Sequence, residues 1–374
     1  MRIVYVSTYL PQQCGIATYT DYLIHGMRKV DSTLEIKIIA EQGASPVRLD
    51  RFEVVPCWNR NENYVEPIIS NTGAVDVVHI QHEYGIYKLD DRLPSVLQGF
   101  GANTKKIVTI HCLRPAQFSE RGAEDENFAA RIARLADEVI VHLPTQEAIL
   151  TRLAIPSKKI HVIPHGTELS DEDQEVSRKR IGLPLDAKIL LMFGFVKRHK
   201  NPHIVLEALV EIRERLRDVH FFIAGGLAPN ASKKDRDYAE SIAKRIEELG
   251  LQKNVIYPGE FFPNEDVPYL LRASDIVLFP YYEEDRSASG SFHLAIGAKR
   301  PIIASRIPKF EELRNISDEL LVLPYNSSGI AGIGIRLFED QKFRKYVVNR
   351  TEEYRDLTSW QAVARQHLQL YKGK

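Results

Sequence analysis

Cysteine is scarce in this 374-residue chain. Its three copies, Cys14, Cys57 and Cys112, are widely scattered and form no Cys-x-x-Cys pair. That spacing argues against both a structural zinc site and a disulfide framework, and a reducing, cytoplasmic setting is the expectation. An excess of charge is also lacking: Lys and Arg total 50, as do Asp and Glu. A formal net charge of zero removes any general pull toward nucleic acid or anionic membrane, so an anion site must be a local concentration of donors. No apolar run approaches the length that crosses a bilayer. The opening Met1-Arg2-Ile3-Val4-Tyr5-Val6-Ser7 is too short, and too soon interrupted by Pro11, to read as a signal peptide. No internal repeat, no low-complexity tract and no clear basic amphipathic helix stands out, and the first glycine loop is not a G-x-G-x-x-G dinucleotide fingerprint.

What is present is a repeated alternation. Hydrophobic residues make up 44% of the chain and charged residues 27%, a globular balance with a well-solvated surface. Its length exceeds what one core organises and suits two domains. Short β-branched runs occur at 3–6, 35–39, 75–80, 107–110, 138–141 and 159–163, mostly separated by helix-length segments such as 18–27 and 128–135. The pattern pauses over 167–187, then resumes at 188–193, 220–223, 254–257, 276–279 and 301–304. Apolar runs divided by helices predict parallel sheets covered on both faces. The expected division is a first domain over 1–170, a second over 171–355, and a terminal helix over 356–374 that crosses back to the first. Two doubly wound domains would offer the carboxyl ends of their strands to a central cleft.

Four stretches carry candidate chemistry. Ser287-Ala288-Ser289-Gly290-Ser291-Phe292 follows the apolar run 276–280 and precedes a helical segment. Small hydroxylated residues and a glycine at a helix start suit a phosphate, although such residues also make an ordinary N-cap. In Gly194-Phe195-Val196-Lys197-Arg198-His199-Lys200, three cations lie in a strand-to-helix loop, which suits a diphosphate. The first βα loop carries Gly15 and Ile16, where a ligand contact and simple turn geometry weigh equally. Among the histidines, His111 ends a strand and is the best candidate for touching substrate, while His79 and His82 lack the further ligands that a metal site needs. The acidic run Glu283-Glu284-Asp285 could orient a sugar or Arg286, although such a run is more often solvated surface.

In order along the chain, these segments resemble a retaining glycosyltransferase of family four with the GT-B fold. The carrying segments are Gly15, Val75 to Gln81, Thr109-Ile110-His111, Asp137 to Val141, Val162-Ile163-Pro164-His165-Gly166, Lys200 ahead of Leu206-Glu207-Ala208-Leu209, Ala273 to Pro280, Gly297, Pro301 to Ser305 and Ser359-Trp360. Each is weak alone; their order is specific and spans nearly the whole chain. The resemblance implies two Rossmann-like domains and a nucleotide-diphosphate sugar donor of the GDP-mannose or UDP-glucose type, held mainly by the second domain. It also implies a carbohydrate or other hydroxyl acceptor on the first domain, and no obligatory metal or other cofactor.

By that resemblance His111, Lys200 and Arg198 would be catalytic. Gly15 would face the donor diphosphate; with it Ile16, Gly194, Lys197, Glu284, Arg286, Ser287, Ser289, Gly290, Ser291 and Phe292 are the donor-binding candidates. His82, Glu83 and Tyr84, in a first-domain loop that matches no family motif, are the acceptor-binding ones. Two positions depart from the pattern. Where the family keeps a pair of glutamates this chain has Arg286 and Leu294, and where an arginine often follows the glycine of the basic loop it has Phe195, with Lys197 or Arg198 as its replacement. A subgroup carrying Ser-Gly in place of the glutamate loop is the implied assignment. A sugar phosphorylase, a sugar-nucleotide epimerase and a non-catalytic nucleotide-sugar-binding protein are the alternatives.

Overall fold

The computed structural model describes residues 1–228, 231–282 and 287–373. The chain divides into two compact units, each built on its own sheet. The first comprises Met1–Gly166 and Leu357–Lys374 together with residues 287–290; the second comprises Thr167–Glu284 and Ser291–Asp356.

In the first unit, among the described residues, the sheet contains β1 (Arg2–Ser7), β2 (Glu35–Glu41), β3 (Val47–Leu49), β4 (Phe52–Trp58), β5 (Val77–His82), β6 (Lys105–Ile110), β7 (Glu138–Val141) and β8 (Ile160–Val162). Their order is β3-β4-β2-β1-β5-β6-β7-β8. All neighbours are parallel except β3 and β4, which pair antiparallel. The hairpin was not foreseen, because Pro56 and Cys57 interrupt the β-branched signal of β4.

The second unit's sheet contains β9 (Lys188–Phe193), β10 (Val219–Ala224), β11 (Val255–Ile256), β12 (Ile276–Phe279), β13 (Ile302–Ser305) and β14 (Leu321–Val322). Its order is β11-β10-β9-β12-β13-β14 and every pairing is parallel. The stretch read as a pause holds a helix, Gln174–Ile181. Asp173 caps it by accepting from the Val176 amide, and Gly182 ends it in the left-handed region.

Both orders are doubly wound. The chain leaves β1 in one direction and returns on its other side as β5; it leaves β9 toward β10 and returns as β12. The loops after β1 and β5, and those after β9 and β12, therefore flank the points where strand order reverses, where open α/β sheets bind ligands.

The strands are buried because both faces are covered. In the first unit Val4, Val6, Ile80, Val108 and Val139 are almost wholly inaccessible. In the second, Leu190, Phe221, Val277 and Phe292 are. The terminal helix, Trp360–Lys372, packs on the first unit. Trp360 lies so close that a Cβ on Gly166 would fall 2.2 Å from its ring, so only glycine fits there. No helix among the described residues is long and apolar enough to cross a membrane.

Candidate active site

In the second unit the basic loop leaves the carboxyl end of β9. Gly194 takes φ +80, a conformation that L side chains rarely adopt, and an added Cβ would stand 3.1 Å from Lys200 Nζ. The turn thus folds the lysine back under the strand end. Lys200 Nζ donates to the Phe193 carbonyl at 3.1 Å and lies 5.9 Å from the centre of the Tyr281 ring. Burial, with Lys197 nearby, lowers its pKa to about 8. Asn201, left-handed at φ 52, begins the helix Pro202–Arg215 without a side-chain cap, and its buried Nδ2 has no partner. A desolvated ammonium, an unused amide donor and the free N–H groups of a 14-residue helix therefore meet at one strand end. Lys197 and Arg198 are exposed, with Arg198 over Tyr238. Asn201 and Tyr281 were missed in the sequence; the Asn-Pro step was the available sign of a helix start.

The loop after β12 is described from Ser287. Glu284 and Arg286, with the rest of the acidic run, lie outside the described residues. Ser287 makes a backbone bridge with Cys112, and Ser289 is buried. Gly290 opens the helix Gly290–Gly297, and a Cβ there would sit 3.6 Å from His165 Nε2. Ser291 is half-buried. The side chain of Phe292 is fully buried against Phe279 and Phe310, which leaves only its backbone to reach a ligand. Leu294 packs against the same core.

In the first unit the helix Gly15–Val30 starts behind Cys14 with no side-chain cap. Gly15 is exposed, its φ is ordinary, and nothing lies within 4 Å of an added Cβ. Turn geometry does not demand glycine here; open space in front of free helix N–H groups is what the residue provides.

His111 ends in a buried chain of polar groups. Its Nε2 lies 2.8 Å from the Gln81 amide oxygen and its Nδ1 3.1 Å from His142 Nε2. His142 Nδ1 reaches the Ile163 carbonyl at 2.9 Å. On the other side Gln81 meets His79 at 3.3 Å, and His79 Nδ1 meets the Tyr371 hydroxyl at 2.5 Å. A carbonyl only accepts, so His142 Nδ1 carries a proton. If the Gln81 oxygen faces His111, three protons must be shared by the two rings, and either His111 or His142 is charged. Turning the amide over lets every ring stay neutral, with the proton of His111 on Nδ1. Burial, reinforced by His142, holds His111 well below its ordinary pKa and favours its neutral form. Both ring nitrogens of His111 are engaged inside the protein, so its role runs through this chain.

The acceptor candidates divide. His82 is fully buried among Tyr84, Tyr87 and Phe128, both ring nitrogens lack partners, and burial lowers its pKa to about 3. The Tyr84 hydroxyl donates to the Asp125 carbonyl, and its ring is buried as well. Packing thus withdraws both side chains from a ligand. Glu83 is half-exposed, and its carboxylate accepts the Gly85 amide at 2.5 Å.

Residues 173–354 match the family of glycosyl transferases group 1. A D-inositol 3-phosphate glycosyltransferase of Corynebacterium urealyticum is 28% identical over 231 residues, covering 59% of this chain and 51% of that protein. The chain spans between about half and two thirds of the length of such curated relatives. Among solved structures, the HepE protein of Anabaena with UDP and glucose superposes at TM-score 0.71, with 16% identity and full coverage of both chains. The sucrose-phosphate synthase of Thermosynechococcus elongatus does so at 0.72, with 20% identity, covering all of this chain and 98% of that one. The chain has the GT-B fold of two Rossmann-like units, and its residues 173–354 are similar to the glycosyl transferases group 1.

Proposed function

We propose that this protein transfers a hexose from a nucleoside-diphosphate sugar to a hydroxyl acceptor, with retention of anomeric configuration and without an obligatory metal. The observation that carries the reading is Lys200, a desolvated cation at the carboxyl end of β9 beside a free helix N-terminus. One structural relative, HepE of Anabaena, holds UDP and UDP-glucose, which favours a diphosphate as the anion.

In the proposed reaction the bond between C1 and the diphosphate oxygen breaks, giving an oxocarbenium-like centre. The acceptor hydroxyl attacks the same face, and its proton passes to the departing diphosphate oxygen. Positive charge fixed where negative charge develops lowers that barrier. Lys200 supplies it, with Lys197 and Arg198 completing the cationic loop. The backbone N–H groups of Ser289, Gly290 and Ser291, with those at Gly15, are the proposed further contacts to the donor. The His79–Gln81–His111–His142 chain would hold the first unit's polar groups in one fixed hydrogen-bonded arrangement. Glu83 is the remaining acceptor contact.

Incubating the protein with UDP-glucose or GDP-mannose and a panel of sugar and polyol acceptors tests the reading. It predicts a product of retained anomeric configuration, formed in the presence of EDTA. Transfer that requires inorganic phosphate would indicate a phosphorylase. Conversion without an acceptor would indicate an epimerase, and binding without turnover a carrier.

A further inference from the structure

The opposite edge of the second unit's sheet holds a second concentration of positive charge that the reaction above does not use. Asp275 immediately precedes β12, and Arg300 stands two residues before β13. Six-residue β9 puts this edge about 20 Å from the basic loop. The charged groups acting most strongly on Arg300 are Arg272, Arg344, Arg178 and one carboxylate, Asp275.

That carboxylate is already committed. Its Oδ2 accepts from Arg178 Nη2 at 2.9 Å and from the Ile189 amide at 2.8 Å, and its Oδ1 from Gln174 at 3.2 Å. Arg344 Nη2 is left 3.7 Å away. Arg272 and Arg300 donate to backbone carbonyls, Arg272 to those of Glu172 and Ala298 and Arg300 to that of Arg272. Carbonyls satisfy donors without neutralising charge. Arg300 is 8% exposed, and its Nε is buried with no partner at all. Burial and Arg272 together lower its pKa to about 9. Four guanidinium groups against one carboxylate leave three positive charges in excess, an arrangement that costs stability unless an anion offsets it.

We propose that this arginine cluster is a binding site for a phosphoryl dianion, either inorganic phosphate or the headgroup of a phosphate monoester. The planar donor forks of guanidinium groups match tetrahedral oxyanions, and a dianion offsets the surplus better than a halide. Arg344 and Asp275 reach solvent, at 22% and 15% side-chain exposure, and mark the way in. Bound there, the anion would tie together the amino ends of β9, β12 and β13, far from the donor loop.

Calorimetric titration with inorganic phosphate, at ionic strength fixed with sodium chloride, tests the site. It is performed on Lys200→Ala, so that phosphate on the donor loop does not contribute. We expect saturable one-site binding, weakened at least tenfold by adding Arg344→Gln and less by adding Arg344→Lys, which retains the charge but not the fork. Circular dichroism checks that each variant is folded. Glycerol 3-phosphate in place of phosphate separates the sources: binding of both indicates a monoester headgroup, and binding of phosphate alone indicates the free ion. Absence of saturable binding, or equal binding by folded Arg344→Gln, would overturn the assignment.

Discussion

The two units differ in where buried charge is left without a counter-ion. The first pairs its buried carboxylates, Glu41, Asp125 and Glu126, with arginines and otherwise buries a neutral polar chain: His79, His111 and Tyr371 are joined by hydrogen bonds through Gln81, and burial holds both histidines unprotonated. The second, apart from the buried contacts of Glu312 with His293 and Tyr354, has an aliphatic and aromatic interior. Among the described residues it places unpaired cations at both ends of its sheet, Lys200 at one and the arginine cluster at the other. Neutral hydrogen-bonded rings need no counter-ion, whereas desolvated cations do. The difference assigns anion binding to the second unit and fixed hydrogen-bond geometry to the first.

Acid should separate the units most strongly. An unfolded histidine takes up its proton near pH 6.5, whereas burial lowers His367 to about 4, His82 to about 3, and His79 and His111 well below the ordinary value. Below pH 6.5 the unfolded chain therefore holds more protons. Stability present above that pH is lost as pH falls, by up to about 1.4 kcal/mol per pH unit for each ring. Both tryptophans, Trp58 and Trp360, belong to the first unit. Urea transitions followed by tryptophan fluorescence should therefore move to lower urea between pH 6.5 and 4.5; a constant midpoint would contradict the account of neutral buried histidines.

Next in size is Lys200→Ala. Losing a preorganised cation at the departing diphosphate should cost about 3–4 kcal/mol in transition-state stabilisation, or roughly 10²- to 10³-fold in kcat/KM. Gln81→Leu, which interrupts the histidine chain, should cost about 1–3 kcal/mol of stability in urea unfolding, because buried ring nitrogens lose their partner. Smallest is the alkaline effect. Lys200 titrates near 8 when free, so above that pH diphosphate binding must take up a proton. Affinity should fall with rising pH, by at most about tenfold per unit, and Lys200→Ala should abolish that slope.

Much of the fold was legible because fully buried parallel strands are continuous apolar runs, as in 188–193 and 276–279. The helix Gln174–Ile181 was hidden by its charged sequence, although Asp173 and Gly182 carried its start and stop signals. Of the candidate site, Lys200, Gly194 and Gly15 showed themselves through loop position. The withdrawal of His82 and Tyr84 did not, because a side chain's exposure depends on partners, such as Phe128, that are distant in sequence. The histidine chain and the arginine cluster were equally hidden: their members come together only once strand order is known.

The account rests on Lys200 meeting a nucleoside diphosphate. Isothermal titration of UDP and of GDP at pH 7 into the protein and into Lys200→Ala tests it most directly. The account predicts saturable binding of at least one of the two nucleotides, weakened about a hundredfold or more by the substitution. Binding of equal strength in the folded variant, or none by the unaltered protein at millimolar nucleotide, would contradict it.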